Sequence, residues 1–117
     1  MSNRLLRINE LLQREISAYL HAKYSQEAAG ITITRAEVTG DLREAKVFYA
    51  ALGGDPEAEK AGRWLQRHLG EVRSVVAKNV VIRHVPVLTL VRDLGGQRAL
   101  RVEQLLDEIE RGTKART

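Results

Sequence analysis

The sequence predicts an α+β domain in which a three-stranded sheet carries its helices packed on one face. Three observations lead there. Apolar residues recur at three- and four-residue steps over residues 3–23 and again over 55–79, the spacing of amphipathic helices. Between those stretches, β-branched and small apolar residues alternate over two short runs joined by a glycine turn, the spacing of strands. A third strand-like run then precedes a short C-terminal helical pattern. The predicted order is helix, strand, strand, helix, helix, strand, helix, and one hairpin plus one later strand makes the sheet.

The first helix is predicted over 3–23, with Ser2 and Asn3 as candidate caps. Leu5, Ile8, Leu12, Ile16, Tyr19 and Leu20 form its apolar stripe. Arg7, Arg14 and His21 fall together on the far side. The two arginines read either as a solvated helix back or as a second phosphate-contacting ridge, and His21 reads as a surface residue. Ile31-Thr32-Ile33-Thr34 is a half-buried strand, and the slip of phase across Arg35-Ala36-Glu37-Val38 predicts a bulge near Arg35. Gly40-Asp41-Leu42-Arg43 supplies a turn into a second strand through Ala45, Val47, Tyr49 and Ala51, so the pair is an antiparallel hairpin. Gly53-Gly54 ends that strand; without GxxxxGK[ST] or GxGxxG around it, the pair is punctuation and not a phosphate loop.

Asp55 to Asp93 is the stretch on which function is expected. Asp55-Pro56 is a helix start, with Asp as cap and Pro in the first turn. Ala58, Ala61, Leu65, Leu69, Val72 and Val76 make one buried stripe. The opposite face carries Lys60, Arg63, Arg67, Gly70, Ser74 and Lys78, a run of cations with one bare glycine near its middle. A glycine inside a helix costs about 1 kcal/mol relative to alanine, which implies a bend or a close backbone approach here. Trp64 flanks the stripe, a position that favours partial burial over base stacking. Arg73 sits at the stripe's edge, where it serves either packing or RNA contact. Val80 to Arg92 reads as a strand interrupted by Pro86, on which Arg83 reaches the same surface or pairs with a neighbouring acid. Gly95-Gly96 breaks the chain, and Val102, Leu105, Leu106 and Ile109 give a short amphipathic helix stopped by Gly112. Residues 1–112 are thus read as one domain, and 113–117 as a disordered basic tail.

Composition narrows the function classes. The 117 residues contain no cysteine, which removes disulfides, thiolate metal sites and thiol nucleophiles. His21, His68 and His84 form no HExxH, and no serine lies in a GxSxG elbow, so an enzyme, a metal or a cofactor is not expected. No apolar run nears the roughly 20 residues that span a bilayer, and a cytoplasmic monomer is expected. Lys plus Arg number 19 against 15 Asp plus Glu, a net charge of +4 that favours polyanionic partners. Aromatics are only 4%, too few for a surface that stacks several bases on rings.

Helix, hairpin, helix, strand is the order of a type II KH domain, a module that holds single-stranded nucleic acid beside a GxxG loop. No GxxG occurs here; the joint is His68-Leu69-Gly70, a glycine kink in its place. At these residues the sequence resembles the bacterial ribosome-binding factor A family, from about Arg4 to Ile109. Gly70-Glu71-Val72-Arg73 through Val81-Ile82-Arg83-His84-Val85-Pro86-Val87-Leu88 is similar to that family's glycine, hydrophobic, arginine, LRxxPxL pattern at the same spacing. Ile31 to Thr34, Val38 to Leu42 running into Ala45 to Phe48, and Leu105-Leu106 support the likeness. Two positions depart from it: Gly40 replaces a serine, and His68 replaces the alanine of an Ala-x-Gly joint. His68 is either a tolerated flank or a titratable group beside RNA. The resemblance implies a non-catalytic assembly factor that binds the 30S subunit and 16S rRNA near the decoding centre. It further implies help with maturation of the rRNA 5′ end, support of growth in the cold, and a ribosome-associated GTPase as release partner. Lys60, Arg63, Arg67 and Lys78 would then lie along phosphates, with Gly70 admitting the RNA backbone. Two alternatives remain: a general KH-like binder of single-stranded nucleic acid, and a protein–protein adaptor using the basic helix face.

Overall fold

The computed structural model describes residues 3–115 apart from Val81 and Arg83. Its elements run α1 (Asn3–Lys23), β1 (Ile31–Val38), β2 (Glu44–Ala51), α2 (Asp55–Arg67), α3 (Leu69–Asn79), β3 (Val87–Arg92) and α4 (Leu94–Ala115). β2 is central, antiparallel to β1 and parallel to β3, so the sheet is mixed in the order β1-β2-β3. The β1–β2 register slips between Ile33 and Arg35, where the change of phase predicts a bulge. A bulge lets Ile33 and Ala36 both face the core although they are three apart.

One continuous core lies between that face of the sheet and α1–α3. Ile8, Leu12, Ile16 and Leu20 of α1 meet Ile31 and Ile33 of β1, with Val47 and Tyr49 of β2 and Leu88 of β3 in the same cluster. From the helix pair come Ala58, Ala61, Leu65, Val72 and Val76, with Leu69 packed at the edge. Small residues on α2 permit close packing: a Cβ on Gly62 would overlap the Tyr49 hydroxyl and lie 3.2 Å from Cζ. His21 is not a simple surface residue. Its Nε2 lies 2.9 Å from the Ile31 carbonyl, to which it donates, and so it ties α1 to β1.

Three ends differ from expectation. Gly54 occupies the cap position of α2 without a side-chain bond, while the Asp55 carboxylate instead accepts from Arg92 at 2.5 Å. β3 begins only at Val87, after Pro86, because proline lacks the amide a ladder needs and Val80 ends α3 in extended conformation. The C-terminal helix is not short. It begins at Leu94, takes Gly95 and Gly96 into its first turn, and passes Gly112 to reach Ala115. The tail expected at 113–117 is thus helical through Ala115, and Arg116 and Thr117 lie outside the described residues, as does Ser2.

Gly96 is used for proximity, since a Cβ there would lie 2.8 Å from Thr34 Cγ2. Asp93 fixes this start by accepting from the Thr34 hydroxyl at 2.6 Å and the Gly96 amide at 3.0 Å, which hold its carboxyl below the usual range. Where β3 ends, the Gln97 carboxamide takes over its ladder, bonding both the amide and the carbonyl of Ala51.

Candidate nucleic-acid interface

The joint between α2 and α3 is centred on His68, with φ −99° and ψ 3°, the bridge region that ordinary residues reach. Its amide still bonds back to Trp64 and Leu65, and its carbonyl accepts from Val72, so His68 itself keeps helical bonds on both sides of the bend. Gly70 lies one residue inside α3, exposed, and a Cβ there would meet nothing within 4 Å. The glycine therefore leaves bare backbone at the surface, while the bend itself belongs to His68.

Aromatic and ionic contacts hold that bend. The His68 ring stacks on Trp64 at 4.0 Å between centroids, and Tyr24 meets both edge-on at 4.7 and 5.2 Å. His68 Nδ1 is 2.7 Å from the Trp64 carbonyl; a carbonyl only accepts, so this nitrogen carries the proton. Beside it, the Glu71 carboxylate accepts from Tyr19 at 2.5 Å, Tyr24 at 2.6 Å and Lys23 at 3.0 Å. The Tyr19 hydroxyl, then Tyr24 and Lys23, hold the Glu71 carboxyl down at about 2, and the same carboxylate raises Lys23 and Tyr24. His68 Nε2 stands 3.9 Å from Glu71. The end of α1 thereby grips the first turn of α3 and sets the angle of the helix pair. Sequence reasoning missed this hub; the i, i+4 spacing of Tyr19 and Lys23 and the i, i+3 spacing of His68 and Glu71 are its local signs, but the clamp joins Glu71 to residues about fifty positions away (48 from Lys23, 52 from Tyr19).

The expected RNA-contacting residues divide around the joint. Lys60, Arg63 and Arg67 are exposed on α2, and none forms an ion pair among the described residues. Lys60 and Arg67 line, with Trp64, an open cleft of about 450 Å³ whose walls include Glu27, Leu52 and Glu57. Gly70, Arg73 and Ser74 line a shallower cleft of about 240 Å³, closed by Ala77 and Val85. Lys78 is exposed at the far end of α3, and Arg7 and Arg14 are exposed on the back of α1. Arg73 serves the fold. Its Nε and Nη2 donate to the carbonyls of Pro86 and Val85 at 3.2 and 3.1 Å, pinning the segment that leads into β3. Arg83 lies outside the described residues.

A mixed three-stranded sheet under three helices, entered by a hairpin and jointed between two helices where a GxxG would stand, defines a KH-like α+β module of the type II order. More narrowly, the chain belongs to the ribosome-binding factor A family, whose sequence profile matches residues 4–106. It is 44% identical over 116 residues to ribosome-binding factor A of Opitutus terrae, covering 99% of this chain and 95% of that one. Its fold is similar to the crystal structure of ribosome-binding factor A from Thermus thermophilus, with a TM-score of 0.67 at 19% identity, covering 75% of this chain and 94% of that one. A Thermus thermophilus homology model fitted into the cryo-EM map of a 30S–RbfA complex matches with a TM-score of 0.55 at 19% identity, over 69% of this chain and 86% of that one.

Proposed function

We propose that this protein is a small-subunit assembly factor, binding the 30S particle through 16S rRNA and assisting its late maturation, including that of the rRNA 5′ end. It acts by binding, as a monomer in the cytoplasm, and a ribosome-associated GTPase releases it. Family membership supports this reading. The observation that carries the contact is the ridge of Lys60, Arg63 and Arg67, exposed, without acidic partners among the described residues, and adjoining a joint at which Gly70 leaves the backbone bare. Cations on one ridge set affinity and register along phosphates, while the open first turn of α3 offers amides to the same backbone. Lys78 extends the path along α3. Arg7 and Arg14 form a separate ridge on α1, and Arg73 contributes through the segment it pins.

Co-sedimentation with separated 30S, 50S and 70S particles at two salt concentrations tests the reading. Selective 30S binding that falls with salt is expected. Arg63→Glu with Arg67→Glu should weaken it and flatten the log–log salt slope by roughly 1.5–2, the share of two phosphate contacts. Equal binding to all particles and to bulk RNA would reduce the protein to a general RNA binder. Unchanged affinity of the double variant would move the footprint off α2.

A further inference from the structure

The cleft beside α2 carries two carboxylates that contact with an RNA backbone does not explain. Its walls of about 450 Å³ include Lys60 and Arg67, but also Glu57 from the first turn of α2 and Glu27 from the segment joining α1 to β1. All four residues are exposed, and among the described residues none of the four side chains forms an ion pair or a hydrogen bond. Counted whole, α2 is balanced: Asp55, Glu57 and Glu59 stand toward its start, and Lys60, Arg63 and Arg67 toward its end. The floor of the cleft is apolar. Ile31, Ala51 and Ala61 are buried, Leu52 is 44% exposed, and Trp64 lines the wall half-buried, its ring held by the stacked His68 and the edge of Tyr24.

We infer that this cleft takes one unpaired guanine of single-stranded RNA, its ring against Trp64 and Leu52, its Watson–Crick edge on a carboxylate, and its flanking phosphates on Lys60 and Arg67. The inference rests on the small-subunit reading, which makes RNA the ligand, and adds to it a site that reads a base. Net charge does not choose the occupant, since two cations face two carboxylates; donors and acceptors do. Phosphates are repelled by carboxylates, so the part of a nucleotide that faces Glu27 and Glu57 has to donate. Guanine carries two adjacent donors, N1–H and the N2 amino group, which match the two oxygens of one carboxylate. Adenine and cytosine offer one amino group each, and uracil a single N–H. Lys60 and Arg67 stand on either side of Trp64, about 10 Å apart along the helix axis, places for the phosphates 5′ and 3′ of the base. The volume lies within the roughly 300–1,000 Å³ of small-ligand sites. One aromatic wall reads one base, which agrees with a chain whose aromatics are only 4%.

Trp64 is the chain's one tryptophan, so its fluorescence reports on the cleft. The full chain is titrated with the RNA pentamers UUGUU, UUAUU and UUUUU, followed by Trp64 fluorescence and, for binding anywhere on the protein, by anisotropy of labelled RNA. The guanine pentamer should bind about tenfold more tightly than the other two and change the fluorescence most. Inosine in its place, which keeps N1–H and loses the amino group, should fall between. Glu27→Gln with Glu57→Gln alters exposed side chains and should leave the melting temperature within a degree or two. It should erase the guanine preference while the all-uridine pentamer binds at least as tightly as before. Equal affinities for the three pentamers, a preference that survives in the double variant, a uniform rise in its affinity for all three, or binding seen by anisotropy without a change at Trp64 each overturn the inference. So does failure of every pentamer to bind. Co-sedimentation of the wild type with 30S particles separates the two readings: selective 30S binding without base preference removes the guanine site alone, and absence of 30S binding removes the small-subunit reading as well.

Discussion

Gly62 and Gly70 should respond in opposite directions to the same substitution. Both lie in the α2–α3 pair, and in an unobstructed helix alanine is favoured over glycine by about 1 kcal/mol. At Gly70 nothing lies within 4 Å of the added Cβ, so Gly70→Ala should keep that gain and raise the melting temperature by about 4 °C. At Gly62 the methyl overlaps the Tyr49 hydroxyl, and Tyr49 is buried in the core, where moving its ring costs packing. Overpacking of this kind costs about 1–3 kcal/mol, so the net effect of Gly62→Ala is a loss of about 1 kcal/mol and a drop of about 4 °C. The cause is one oxygen atom, and it can be removed. In a Tyr49→Phe background the nearest neighbour becomes Cζ at 3.2 Å, a contact a small shift relieves, and Gly62→Ala should no longer destabilise. Urea unfolding of the four members of that cycle measures the coupling, expected at about 1–2 kcal/mol. Additivity within about 0.3 kcal/mol would refute the steric reasoning. Gly70→Ala adds the functional half: a more stable protein that binds 30S less tightly would mark the glycine as a contact, while unchanged binding would remove it from the interface.

Two further perturbations follow from the joint and the strap. Glu71 has its carboxyl depressed from 4.5 to about 2 by three donors, so its contribution to stability is complete above pH 4.5 and is lost as pH falls toward 2. Melting curves between pH 5 and pH 2 should therefore fall more steeply for the wild type than for Glu71→Gln; parallel curves would show that the hub adds nothing. Arg73→Ala removes two donors from the Val85 and Pro86 carbonyls and should destabilise by about 1–3 kcal/mol, with faster amide exchange concentrated in β3. A uniform rise in exchange across the domain would argue against a local strap.

The division between what is legible in the sequence and what is not follows the range of each interaction. Periodicity is local, so α1, the hairpin with its bulge, and the buried stripe from Ala58 to Val76 are read directly. The exposed ridge of Lys60, Arg63 and Arg67 is legible for the same reason, because a helical wheel assigns a solvent side once the core side is known. Local rules err where a residue is captured by something distant in sequence. Asp55 reads as a cap and pairs with Arg92; His21 reads as surface and bonds Ile31. Gly95-Gly96 reads as a break and forms the first turn of α4, because Asp93 and Thr34 hold it there.

Element order, the α+β class and the placement of a cationic ridge all follow from spacing within some twenty residues of chain, and so they are written in the sequence. Long-range packing makes His68, held by Trp64 and Tyr24, the joint; it makes Glu71 the hub clamping α1 to α3, and Arg73 the strap on the entry to β3. The same packing sets which way α4 faces. An amphipathic pattern states that a helix has an apolar side, but the side that meets the sheet is chosen by Gly96 against Thr34 and Gln97 against Ala51, contacts between residues more than forty apart.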